Sequence, residues 1–172
     1  ADRAQFRRLA AALRPCYAAT PALLRAHLAQ AARGAPPFVY LYVTSHGLPS
    51  LLPENVPKDM LPEPVAALLG QYSLQLGAAA GAGVEAGPLL AAQRAGTPAE
   101  DLVLAPDGLA RALAGFPAAT PKFVVLQGCH AGGFAEALAG VPGLVGLMAA
   151  RHDRASFGCD PGQDMTFFGA IY

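Results

Sequence analysis

Cys129 and His46 are the residues of this chain whose types and settings suit covalent chemistry. Each follows a short apolar run and meets a glycine. Cys129 lies within Lys122 to Phe134, KFVVLQGCHAGGF, and His46 within Phe38 to Gly47, FVYLYVTSHG. Acyl transfer needs a nucleophile, a base that takes and returns a proton, and N–H donors for the developing oxyanion. Cys129 supplies a thiol. His46, 83 positions upstream (129 minus 46), would act as general base and then protonate the leaving amine. The backbone N–H groups of Cys129 and Gly47 are the oxyanion-hole candidates, because glycine lets the main chain approach closely. A free cysteine is also among the most buried residue types and is commonly inert. The assignment therefore depends on whether the two motifs meet in space.

The elements around them predict that they do. Phe123 to Leu126 has the length and β-branched content of a buried strand and stops at Gly128. Phe38 to Thr44 is continuously apolar or aromatic apart from its last residue, as a strand covered on both faces should be. Two buried strands that end alike, with a helical pattern between them, are expected to be neighbours in a parallel sheet. Their C-terminal ends, where open α/β sheets bind ligands, would then lie together. Leu144 to Ala149 reads as a third buried strand, followed by the charge cluster Ala150 to Arg154. Phe134 to Leu138 reads as a helix whose amino end, with unpaired N–H groups, would favour a thiolate at Cys129.

Three further helices are predicted. Ala4 to Leu13 carries Phe6, Leu9, Ala10 and Leu13 at the spacing of one helical face, with its arginines toward water and Pro15 ending it. Thr20 and Pro21 are an N-cap and first helical residue for a segment reaching about Ala32, which Gly34 terminates. Pro106-Asp107-Gly108 opens a helix through Leu113, closed by Gly115 and Pro117. Leu48 to Leu104 is less legible: prolines at 49, 53, 57, 62 and 64 break its first third. A loop, a helix from about Pro64 to Leu76 and a flexible Gly77 to Gly87 connection are expected, the stretch acting as a surface insertion or a lid.

With 172 residues, 53% hydrophobic and 14% charged, the chain is expected to form a single α/β domain over 1–172. Twelve basic residues balance twelve acidic ones without a basic cluster, so nothing electrostatic points to nucleic acid or an anionic membrane. No apolar stretch reaches the ~18 to 20 residues of a membrane span, and the amino end shows no signal-peptide pattern. The compartment stays open. Cys16, Cys129 and Cys159 are too few for a disulfide framework and lack the paired spacings of zinc motifs, even with His130 and His152 beside them. No metal or organic cofactor is expected. Cys16 and Cys159 read as structural thiols, and His27 as a packing residue on a helix. His130 adjoins the nucleophile, yet neighbouring side chains on a turning chain point apart.

At these residues the sequence resembles the caspase-fold cysteine peptidases, and within them the legumain-like (asparaginyl endopeptidase) family, most closely its bacterial branch. The pieces are YVTSHG at Tyr42 to Gly47, LAPDGLARAL at Leu104 to Leu113, GCHAGGF at Gly128 to Phe134, AARHDRASFGC at Ala149 to Cys159, and TFFG at Thr166 to Gly169. Order and spacing agree over roughly two thirds of the chain. The resemblance implies a caspase-like three-layer sandwich with a mostly parallel central sheet flanked by helices. It implies a Cys129–His46 dyad, a polypeptide substrate, and pocket residues at Gln127, Ser156, Arg151 and Asp153. Ser156 would line the pocket beside the substrate backbone. Arg151 and Asp153 either contribute to the site or pair with each other to hold its loop.

Two departures stand out. Members usually begin with a further strand that gives a basic residue to the primary pocket, whereas this chain opens in a helix, so the first strand is expected to be absent. In legumain itself the residue two before the cysteine is acidic, and an acidic residue follows the late aromatic-glycine step; here those positions are Gln127 and Ala170. Neutral residues there leave the preferred side chain at the cleavage site open. The leading expectation is a cysteine endopeptidase acting through a thioester. A transpeptidase using the same dyad with an amine acceptor, and a non-catalytic caspase-fold interaction module, are the alternatives.

Overall fold

The computed structural model describes residues 19–50, 70–76 and 94–157, with isolated positions 63, 66, 91 and 168. The expected helix at Ala4 to Leu13, the Gly77 to Gly87 connection, Cys16, Cys159 and Ala170 lie outside the described residues. Within them the chain is α/β, a three-stranded parallel sheet flanked by helices. Strands β1 (Val39–Thr44), β4 (Lys122–Gln127) and β5 (Leu144–Met148) lie in the order β1-β4-β5, with register Val39↔Lys122↔Leu144. A separate antiparallel pair, β2 (Gly47–Leu48) with β3 (Ser73–Leu74), projects beyond the end of β1.

Helix α1 (Pro21–Arg33) starts and stops where the sequence dictates. The Thr20 hydroxyl accepts the Leu23 N–H at 3.2 Å, Pro21 occupies the first turn, and Gly34 closes the last. Arg25 fixes it laterally, donating to the Glu100 carbonyl at 2.8 Å and pairing with Asp101 in the 3-10 turn Ala99–Asp101. Helix α2 (Pro106–Ala114) buries Leu109 and Leu113 completely, and α3 (Ala135–Ala139) buries Leu138. The α2 and α3 connections both run between parallel strands in the direction β1 to β4 to β5, so right-handed crossovers place them on one face of the sheet. α1 packs beside α2.

The core is the space between these helices and that face. Val39, Val43, Val124 and Leu126 meet Leu28, Leu109, Leu113 and Phe134 there, with Leu144 and Met148 packed alongside. Side chains alternate across a strand, so Tyr40, Tyr42, Val145 and Leu147 point from the opposite face, where they are exposed. The expectation that β1 is covered on both faces is thus met on one face only among the described residues.

Lys122, the first residue of β4, is 2% exposed. Its ammonium donates to the carbonyls of Thr120 at 2.8 Å, Pro142 at 2.9 Å and Pro117 at 3.1 Å. Three carbonyls from the two turns at the N-terminal edge of the sheet therefore converge on one cation. The expected helix through Leu76 is corrected: Glu63 and Ala66 are helical, but the Gly70 N–H closes the turn on Ala66 and the chain then extends into β3. Leu74 pairs with Leu104, exchanging both backbone bonds at 2.9 Å. No helix among the described residues is long and apolar enough to cross a membrane.

Candidate active site

The in-register pairing of β1 with β4 ends both strands at the same level, Thr44 opposite Gln127. The Ser45 N–H continues the ladder to the Gln127 carbonyl at 3.1 Å. Beyond that point the two chains turn, and two glycines let their backbones touch. An added Cβ at Gly47 would sit 1.7 Å from the Cys129 carbonyl oxygen and 3.1 Å from its nitrogen; one at Gly128 would sit 2.7 Å from the Ser45 carbonyl and 3.4 Å from the Gly47 nitrogen. His46, between Ser45 and Gly47, is thereby held beside the cysteine turn by main-chain contacts on both sides of it.

β3 holds the histidine loop from the other side. The Gln75 N–H donates to the His46 carbonyl at 2.9 Å, and the Ser45 hydroxyl donates to the Gln75 carbonyl. Leu74, opposite Gly47, directs both of its backbone groups to Leu104, which turns the Gly47 N–H away from β3. The Cys129 N–H has no backbone acceptor among the described residues. The two candidate oxyanion donors thus lie at adjacent positions on touching chains. His46 itself is exposed, as a residue exchanging protons with a substrate must be.

Cys129 is a free, half-buried thiol, and its sulfur accepts the Ser156 N–H at 3.2 Å. Ser156 is carried to it by the loop after β5, which wraps around the 3-10 turn Ala131–Phe134. His130 secures that loop. Its N–H donates to the Arg154 carbonyl at 2.9 Å, and its ring Nδ1 lies 2.8 Å from the His152 carbonyl, which makes Nδ1 the protonated nitrogen. The Gly132 N–H donates to Ala150 at 2.8 Å and the Gly133 N–H to His130 at 2.9 Å. These bonds correct one expectation. The N–H groups of His130, Gly132 and Gly133 are not an unpaired helix terminus aimed at the thiol, because the loop and the turn's own His130 carbonyl take them up and α3 begins only at Ala135.

The other expected pocket residues divide. Gln127 is buried at the end of β4, two residues before the nucleophile. Arg151 and Asp153 pair with each other through both carboxylate oxygens, exposed on the loop and joined to one another rather than to Cys129. Hydrogen bonding from Arg151, opposed by desolvation and aided by the charges of Arg151 and Arg154, lowers the Asp153 carboxyl from 3.8 to about 2. A lowered carboxylate contributes stability above its ordinary value that is lost as pH falls through the folded value. The ion pair is therefore insensitive to pH near neutrality and opens only as pH drops toward about 2. A carboxyl-carbon NMR titration of Asp153 is expected to show that midpoint, and Arg151→Gln to return it to the ordinary carboxylate range.

Tyr72 and Gln75 are site residues that sequence reasoning missed. The Tyr72 ring lies where a Gly133 side chain would be, 2.1 Å from an added Cβ, and meets the His152 ring edge-on at 6.3 Å between centroids. The signal was present: in Gln71 to Leu76, QYSLQL, residues 72, 74 and 76 alternate as apolar between Gly70 and Gly77, the pattern of a short strand. Among the described residues, no group of three or more His, Cys, Asp or Glu is placed to hold a metal.

No family model, curated protein or solved structure matches this chain. What the site can do is accordingly argued from its own residues. They assemble a thiol beside two turned main-chain N–H donors, next to an exposed imidazole loop, at the C-terminal edge of a parallel sheet.

Proposed function

We infer that the chain is a cysteine endopeptidase of the caspase-like, legumain-like kind, with Cys129 as nucleophile and His46 as general base and acid. The observation that carries this reading is the main-chain contact between Gly47 and Cys129, which brings the two motifs together at one sheet edge. A second support is the Ser156 N–H on the Cys129 sulfur, which sets the loop after β5 against the nucleophile.

In the reaction His46 takes the proton of the Cys129 thiol and becomes imidazolium, the sulfur attacks the scissile carbonyl carbon, and the carbonyl electron pair moves onto oxygen. The N–H groups of Cys129 and Gly47 receive that oxyanion. Collapse breaks the C–N bond, and the imidazolium of His46 gives its proton to the departing amine. A thioester to Cys129 remains. Water, deprotonated by His46, attacks it and releases the carboxylic acid and the thiol. Gln127 and Ser156 flank the nucleophile and would line the pocket for the side chain preceding the cleaved bond. The Arg151–Asp153 pair serves the same site indirectly, by shaping the loop that presents Ser156.

A thiol-reactive activity probe at neutral pH tests the dyad. Cys129→Ala is expected to abolish labelling, and His46→Ala to slow it by roughly 10² to 10⁴, the usual contribution of a positioned acid or base. Labelling that survives Cys129→Ala, or that ignores the loss of His46, would sink the assignment.

A further inference from the structure

We propose that the groove between α1 and α2 is a docking site for an acidic peptide segment of a partner protein. Its volume is about 540 Å³. Leu28, Leu109 and Leu113 turn into the core. What lines the groove is small: Ala29 and Ala32 from α1, with Gly108, Ala112 and Gly115 from α2 and its cap. None of these five is buried. An added Cβ at Gly108 meets nothing within 4 Å, so the floor is open there.

The charges select the occupant. Every charged residue lining the groove is an arginine, namely Arg25, Arg33 and Arg111. Arg25 is paired with Asp101. Arg33 and Arg111 are exposed and have no ion-pair or hydrogen-bond partner among the described residues. Asp107 stands one turn before Arg111 on α2, but it does not line the groove and forms no ion pair with that arginine. Because Arg33 and Arg111 are 78 positions apart (111 minus 33) in the sequence, a balanced composition hides a basic surface that the fold assembles.

Carboxylates suit these groups, since a guanidinium takes a carboxylate through two parallel hydrogen bonds. Arg25 and Arg33 lie eight residues apart on α1, about 12 Å along the helix axis. The cations are strung along the groove rather than gathered at one point. A peptide carrying several carboxylates matches that spread better than a single small anion, and the small floor leaves room for the side chains between them. A second copy seated groove to groove would set arginines against arginines, which disfavours it.

The test pans short random peptides on the full-length Cys129→Ala variant, so that no bound peptide is cut, and measures the selected peptides by fluorescence anisotropy. Enrichment in Asp and Glu is expected. Affinity is expected to fall by about tenfold or more in Arg33→Gln, Arg111→Gln, and again when the peptide carboxylates become amides, as loss of charge-assisted bonds implies. Ala29→Phe fills the groove at an exposed helix position without changing the charge, and it is expected to weaken binding similarly with far-ultraviolet dichroism unchanged. The readout does not use the thiol, so failure of this site and failure of the dyad are separate results. Peptides without acidic enrichment, or affinity indifferent to the arginine double variant or to Ala29→Phe, would overturn the proposal. Displacement of the peptide by inorganic phosphate at matched ionic strength would replace it with a small-anion site, and tighter binding of a single-stranded oligonucleotide with a nucleic-acid site.

Discussion

Replacing Gly47 with alanine is expected to slow labelling of Cys129 by at least about 100-fold while the sheet stays folded. An alanine Cβ would lie 1.7 Å from the Cys129 carbonyl oxygen, and real contacts of this kind do not fall under 3.0 Å, so the two loops must part by about 1.3 Å. The atom in the way is backbone, so no rotamer change relieves the clash. The ladder behind it is fixed by six registered pairs between β1 and β4. The strain therefore falls on Ser45 to Gly47 and on Gly128 to Cys129. A displacement of ~1 Å in a reacting geometry costs about 10² in rate. Overpacking of this sort costs roughly 1–3 kcal/mol of stability, too little to unfold a domain of this size.

Alanine keeps the N–H of residue 47, so the loss reports position and not removal of an oxyanion donor. Gly108→Ala is the control. Nothing lies within 4 Å of its added Cβ, in helix α2, and the change is expected to stabilise the protein by about 0.5–1 kcal/mol without altering the labelling rate. Equal labelling of Gly47→Ala and the wild type would show that the contact between the two loops is irrelevant to the thiol.

The sheet and its helices were legible because their signals are local. Thr20 with Pro21, Pro106 after Ala105, and the glycines at 34 and 115 bound helices by rules that need no tertiary context. The two apolar runs ending in SHG and GCH matched strands β1 and β4 and their parallel pairing. Harder to read was β3, whose two residues are defined by partners elsewhere: Gly47 and Leu48 on one side, Leu104 on the other. The alternation of Tyr72, Leu74 and Leu76 is its one local signal, and it is short enough to be read equally as the end of a helix. The fate of the N–H groups after Cys129 was illegible for a related reason. Gly132 is small because the His152 nitrogen lies 2.7 Å from an added Cβ, and Gly133 because the Tyr72 ring lies over it. Both are packing constraints from distant segments, and a single sequence does not display them.

Lys122→Met is expected to produce the opposite separation, loss of stability with the chemistry intact. Methionine fills much the same volume but leaves the carbonyls of Pro117, Thr120 and Pro142 without their shared donor. Two effects compete. Removing a buried ammonium relieves its desolvation, while an unsatisfied buried carbonyl costs about 1–3 kcal/mol. The bonds to Pro117 and Pro142 are partly buried, so water can replace the lysine there; the bond to Thr120 is buried and has no such recourse. The ammonium is well compensated by three short bonds, so the carbonyl penalty wins. The expected net loss is about 1–2 kcal/mol, or roughly 2–8 °C in Tm at the 2–4 °C per kcal/mol typical of this chain length. Lys122 and Cys129 stand at opposite ends of β4, about 20 Å apart by strand rise, so the folded fraction should label at the wild-type rate. Unchanged Tm would mean that the three carbonyls find other donors. A slowed rate in fully folded protein would mean that strain at the N-terminal edge of β4 reaches the thiol.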